Sequence, residues 1–215
     1  ALHRAVDDLR ALTTFTPHGP ILTAGIPWYV APFGRDALLS AWMLLDAYPE
    51  LAVGTLAFLA AHQGTRRDAA SFEAPGKILH EMRYGELTRL GDTPFGPFYG
   101  SIDATPLWVA LLGRTVRATG DVALARRLWP ALQAALAWME TDGDPDGDGF
   151  LEFTTEGGAG FGPGRVQSWK DSNDGMHHAD GSLPDGPLAV SEVQGYAFDA
   201  LREAAWLHDE LGEPG

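Results

Sequence analysis

The chain has 215 residues, 45% of them hydrophobic, enough for one sizeable core and at most two domains, and too apolar for a disordered chain. Its 15 Lys and Arg stand against 29 Asp and Glu, a net charge of −14, which argues against a nucleic-acid partner and against an anionic membrane. The absence of cysteine excludes a disulfide framework and any thiolate metal site.

The lack of cysteine fits a cytoplasmic location, which is the expectation; no stretch is apolar for long enough to span a bilayer, and the N-terminus has no signal-peptide layout. Residues 2–12 read as a helix with Leu2, Ala5, Val6, Leu9 and Leu12 on one side. Residues 13–32 form a long Gly/Pro-rich connection whose Trp28 and Tyr29, with Phe33 beyond, suggest a loop folded back over a cavity. Gly34-Arg35-Asp36 opens a helix over 37–48, apolar nearly all round and therefore expected to be buried. Pro49 begins the next helix, to about Gln63, as an antiparallel neighbour.

Residues 64–75 are a polar connection, and the segment Lys77 to Glu86 is ambiguous. Its His80-Glu81 is not a zinc-protease opening, because Tyr84 stands where the second His would be. The aromatic loop Phe95 to Gly100 leads to Ser101-Ile102-Asp103, a polar start for a helix ending at Gly120. Asp121 caps a further helix to about Glu140, with Pro130 as a kink or break. A dense acidic turn follows over 142–153, then a loop or short-hairpin region over 166–185 and a final helix over 191–211. No strand alternation is evident, so a mainly α chain of consecutive helix pairs is expected. Its aromatic and polar clusters gather at one end.

Four clusters carry candidate chemistry. Trp28, Phe33, Arg35 and Asp36 offer hydrogen bonds beside an aromatic wall; alternatively Asp36 caps its helix and Arg35 pairs locally. His80, Glu81 and Arg83 read as a surface ion network or as a binding cluster, and Tyr99 with Asp103 as a helix cap or a ligand contact. In Gln167-Ser168-Trp169-Lys170-Asp171-Ser172 the indole of Trp169 can stack on a sugar ring and dry the Asp171 carboxyl. Drying raises a carboxyl pKa, as a general acid requires. The other reading is a turn in which Asp171 caps the backbone and Trp169 fills a core gap.

Asp144, Asp146 and Asp148 alternate like the opening of a calcium loop. However, Thr155 stands where an EF-hand places its bidentate glutamate, and Glu152 comes too early for that role. A solvated acidic turn is the first reading and a looser Ca²⁺ turn the second; no other cofactor is expected. His177-His178 lacks further ligands at metal spacing.

Six stretches in order resemble one family. They are Ala24-Gly25-Ile26-Pro27-Trp28, Phe33-Gly34-Arg35-Asp36, Lys77-Ile78-Leu79-His80-Glu81-Met82-Arg83, Tyr99-Gly100-Ser101-Ile102-Asp103-Ala104-Thr105-Pro106, Gln167-Ser168-Trp169-Lys170-Asp171-Ser172 and Glu192-Val193-Gln194-Gly195-Tyr196. The chain resembles the glucosidase domain of bacterial glycogen-debranching-like proteins, the amylo-α-1,6-glucosidase group. The resemblance implies an (α/α)6 toroid of helical hairpins around a carbohydrate pocket, and hydrolysis of α-glucosidic bonds with inversion. It implies Asp171 as general acid, with Trp28, Phe33, Arg35, Asp36, His80, Glu81, Arg83, Tyr99, Asp103, Trp169, Lys170 and Glu192 around an oligo- or polysaccharide substrate. Inversion also needs a carboxylate base across the sugar, and the family's glutamate lies well beyond the Asp171 motif. Residues 1–215 therefore read as the N-terminal half of the toroid, partnered by the remainder of the parent chain, with an upstream sheet domain and the C-terminal half lying outside. The competing readings are a trehalase-like or mannosylglycerate-type toroid hydrolase, a non-catalytic carbohydrate-binding helical domain, and a calcium-dependent structural domain.

Overall fold

The computed structural model of the protein describes residues 2–93, 95–155, 166–170, 172 and 174–213. Among them the chain is mainly helical. Helix α1 (Leu2–Leu12) leads into a hairpin, β1 (Thr13–Thr16) and β2 (Gly19–Leu22). Helices α2 (Gly34–Met43) and α3 (Pro49–Ala61) form the first helical pair. A long excursion carries β3 (Glu81–Met82), the short α4 (Glu86–Leu90) and β4 (Pro97–Phe98). Then come α5 (Ala104–Thr119), α6 (Val122–Met139), β5 (Glu152–Phe153), β6 (Leu188–Ala189) and α7 (Ser191–Leu211). No described helix is long and apolar enough to cross a membrane.

Helix α5 is the axis of the core. It is buried from Ala104 through Gly113 on every side and packs against α2, α3, α6 and most extensively α7. A helix apolar all round is stable only when neighbours cover every face. Trp108 at its centre donates its indole N–H to the Leu56 carbonyl of α3 at 3.1 Å, so the ring is buried without an orphan donor. Glycine sets the closest approach: a Cβ on Gly113 would stand 2.5 Å from the Glu203 Cβ, so α7 could not lie this near α5 with a larger residue there. Farther along the same seam, Arg114 pairs with Asp199 (2.5 Å) and Arg117 with Glu203 (2.8 Å). Their guanidinium groups lie over the rings of Trp42 and Trp206.

Three elements differ from the expectations. Residues 13–22 are a hairpin rather than an irregular loop, with Thr13 paired to Leu22 and Thr16 to Gly19. Its outer strand carries three threonines around an exposed Phe15, a pattern too weak to read as alternation before the partner strand is known. Helix α2 ends at Met43 instead of running to Tyr48: a turn over 44–47 follows it, and Tyr48, before Pro49, lies outside the helical region at φ −140°, ψ 63°. Its buried side is narrower than expected, and Met43 is exposed. Helix α6 continues through Pro130 without a break. The lost ladder bond is outweighed by the packing of Leu124, Leu128, Leu132 and Trp138.

Helices α2 and α7 each pack against α5, and α2 and α5 start side by side: a Cβ on Gly34 would lie 3.1 Å from the Ala104 Cβ. The helices α3 and α6 make the return paths of two hairpins. Arg35 at the start of α2 meets Asp103 at the start of α5, and Tyr196 near the start of α7 senses the charges of both.

Candidate active site

The candidate site is framed first by backbone. Phe33 bridges Glu81, the Gly34 N–H donates to the His80 carbonyl at 2.8 Å, and the Met82 N–H donates to the Pro32 carbonyl at 3.1 Å. His80 in turn donates its N–H to the Phe98 carbonyl at 2.8 Å. This lattice delivers Arg35 and Asp36 to the first turn of α2, beside the start of α5. Arg35 Nε donates to Asp103 Oδ2 at 2.6 Å, with the two side chains 11% and 2% exposed. Ser101 Oγ donates to Asp103 Oδ1 at 2.5 Å and accepts the Ala104 N–H at 3.2 Å.

Asp103 is therefore not the helix cap, although it occupies the N-cap position; Ser101 serves that need, and both Asp103 oxygens are engaged. The aspartate fixes Arg35 rather than reaching toward solvent. Asp36 makes no cap bond either. Its carboxyl pKa is raised, chiefly by burial, against the lowering effects of the Arg35 charge and its own backbone N–H, with a smaller upward contribution from Asp103.

Helix α7 completes the cluster. Glu192 lies in its first turn, and its Oε1 is buried without a hydrogen-bond partner among the described residues. One turn on, the Tyr196 phenol is shifted upward by burial and by the charges of Asp103 and Glu192, with Arg35 opposing. Tyr196 was not among the expected site residues. The available signal was its spacing: a residue four places after Glu192 shares its helix face. Asp36, Asp103 and Glu192 all stand at helix starts, where the positive dipole end favours a carboxylate.

An aromatic wall borders these groups. Phe33 meets the rings of Tyr29 (6.1 Å) and His80 (5.9 Å) edge-on. The Arg83 guanidinium lies over Tyr29, Phe33 and Phe95, and its Nε donates to Glu81 Oε1. Glu81 and His80 are buried, so this is not a solvated surface network. Beyond Arg83 a groove of about 640 Å³ opens between residues 27–31 and 83–95, with Trp28, Tyr84 and Leu87 along it.

The segment before Asp171 is tied to the same place. The Ile102 N–H donates to the Gln167 carbonyl at 2.8 Å, and the buried Lys77 Nζ donates to Gln167 Oε1 at 3.1 Å. Gln167 Nε2 reaches the Thr154 carbonyl. Trp169 is 56% exposed, with the Lys170 ammonium 5.6 Å from its ring centre, so it does not fill the core. Asp171 lies outside the described residues. Tyr99 faces elsewhere: its hydroxyl donates to the His62 carbonyl, and burial with the Glu73 charge pushes its pKa up to about 12.

In the acidic turn, carboxylate oxygens of Asp144, Asp146 and Asp148 lie within 4.8 Å of one another. Asp144 accepts the N–H groups of Gly147, Asp148 and Gly149, Asp146 that of Asp148, and Asp148 that of Phe150. The oxygen set suits a hard cation such as Ca²⁺. Glu152, buried behind the turn, has its carboxyl raised by burial and by the three aspartates.

No protein-family model matches the chain, and none of the curated proteins matches it.

Proposed function

We propose that the protein belongs to a glycoside hydrolase that cleaves α-glucosidic bonds of α-glucans with inversion, within an (α/α)6 toroid of which these helix pairs form an arc. The observation that carries the reading is the buried Glu192 oxygen, without a hydrogen-bond partner among the described residues, one turn before Tyr196, whose phenol senses the charges of Asp103, Glu192 and Arg35. A buried carboxylate oxygen without a donor is costly, and a ligand hydroxyl relieves that cost. Carboxylates and guanidinium groups are mixed here, which suits a neutral polyol better than a phosphate. The packing of α2 and α7 on α5, with α3 and α6 returning, supports the toroid.

In this scheme Glu192 and Asp36 accept sugar hydroxyls, Tyr196 and Arg83 donate, and Asp103 holds Arg35 in position. Asp171 delivers a proton to the leaving oxygen, and Gln167, four residues before it, is anchored by Lys77 and Ile102. A second carboxylate activates the water on the opposite face. The resemblance assigns that base to a later segment of the parent.

Asp171→Asn in the full-length parent tests the reading. It retains shape but delivers no proton, so turnover of a natural α-glucoside should fall by about two to four orders of magnitude. A glucosyl fluoride, whose leaving group needs no protonation, should be spared most of that loss. Equal losses on both substrates with a lowered melting temperature would make Asp171 structural. A full-length enzyme that turns over no glucoside, with intact folding, would leave the non-catalytic carbohydrate-binding reading.

A further inference from the structure

We infer that the groove between residues 27–31 and 83–95 binds the stretch of an α-glucan chain next to the sugar held in the pocket. This rests on the carbohydrate reading above and extends it to a second, separate surface. The groove encloses about 640 Å³, within the range of small-ligand sites. Trp28 is 79% exposed and Tyr84 66% exposed, and both line it together with Leu87. Single exposed apolar residues are ordinary, but a grouped set around one concavity marks a binding surface.

The lining also includes Glu86 and Thr88. Aromatic faces beside hydroxyl and carboxylate groups match a pyranose, which offers a C–H face to a ring and hydroxyls at its edge. The charged side chains of the lining, Arg83 and Glu86, have opposite signs, so the groove favours a neutral chain over an anionic one. Arg83 gives the continuity: it lines the groove, while its guanidinium covers Phe33 and bonds Glu81 on the pocket side. Arg83 is thus shared by the groove and the edge of the candidate site.

The test is calorimetric titration of this chain with maltoheptaose and with glucose, using cellohexaose as a control for stacking without the α-linked shape. Trp28→Ala and Tyr84→Ala remove exposed rings and should leave the melting temperature unchanged. Each should weaken maltoheptaose binding by about tenfold and leave glucose binding as it was. Glu192→Gln should weaken both sugars. Undetectable maltoheptaose binding, unchanged affinity in both ring variants, or equal binding of cellohexaose would overturn the inference. The pocket reading fails separately: glucose that does not bind, while maltoheptaose binding still depends on Trp28, would keep the groove and discard the pocket. Glucose binding that depends on Glu192, with maltoheptaose indifferent to Trp28 and Tyr84, would do the reverse.

Discussion

Arg35 and Asp103 lie 68 positions apart in the chain, yet their side chains meet at 2.6 Å inside the protein. The pair joins the start of α2 to the start of α5, and Ser101 takes the remaining aspartate oxygen. An isolated buried charge is strongly unfavourable, so the two residues depend on each other. Asp103→Asn should destabilise the protein by about 3–5 kcal/mol. The double variant Arg35→Met/Asp103→Leu should cost less than the sum of its single changes. Additive losses in denaturant melts would show that the pair is not coupled.

Gly34 tests how tightly the frame fixes Arg35. A Cβ at this position collides with the Leu79 carbonyl oxygen and crowds Ala104. Gly34→Ala should destabilise by about 1–3 kcal/mol through overpacking, and it should displace the neighbouring guanidinium. A thermal melt indistinguishable from that of the parent sequence would show that the backbone yields there.

Lys77 makes the stability depend on pH. Burial, its leading cause, lowers the ammonium pKa to about 7 from the ordinary 10.5, against the opposing charges of Asp142 and Asp103. Between those values the unfolded chain binds the proton and the folded chain releases it. Stability from this group therefore rises as pH climbs from about 7 toward 10.5, by at most about 1.4 kcal/mol per pH unit, and is lost as pH falls through 7. Lys77→Met should remove this slope from the difference between the two proteins' pH–stability curves. Parallel curves would contradict the shift.

The acidic turn should respond to calcium if its three aspartates take a cation. Binding to the folded state alone raises the melting temperature, and Ca²⁺ at one hundred times its Kd should add about 2.7 kcal/mol. Chelator should reverse the rise, and Asp146→Asn should weaken it. Identical melting curves in chelator and in millimolar calcium would leave a turn held by its own backbone N–H bonds.

Much of the helical layout was readable in order along the chain. Helix α7 announced itself by its apolar spacing over residues 191–211, α5 by a polar start and Gly120, and α6 by Asp121, which does accept the Leu124 N–H at 2.9 Å. These signals are local, because a helix satisfies its hydrogen bonds within a few residues and its caps lie next to it. The loops that carry Trp28, Phe33, Arg35, Asp36, Asp103 and Trp169 suggest a shared end; the structure joins Arg35 to Asp103 and puts Trp28 in the groove beyond Arg83. Only the tertiary structure decided what each group does there. Asp103 had the position of a cap, but Arg35 and Ser101 claim its oxygens; Tyr196 had the spacing of a core residue, but its hydroxyl feels Asp103 and Glu192. The 13–22 hairpin was hidden for the same reason, since a strand's hydrogen bonds belong to its partner. Burial, pairing and the lack of a hydrogen-bond partner for the Glu192 oxygen among the described residues depend on segments dozens of residues away, and local spacing carries no record of them.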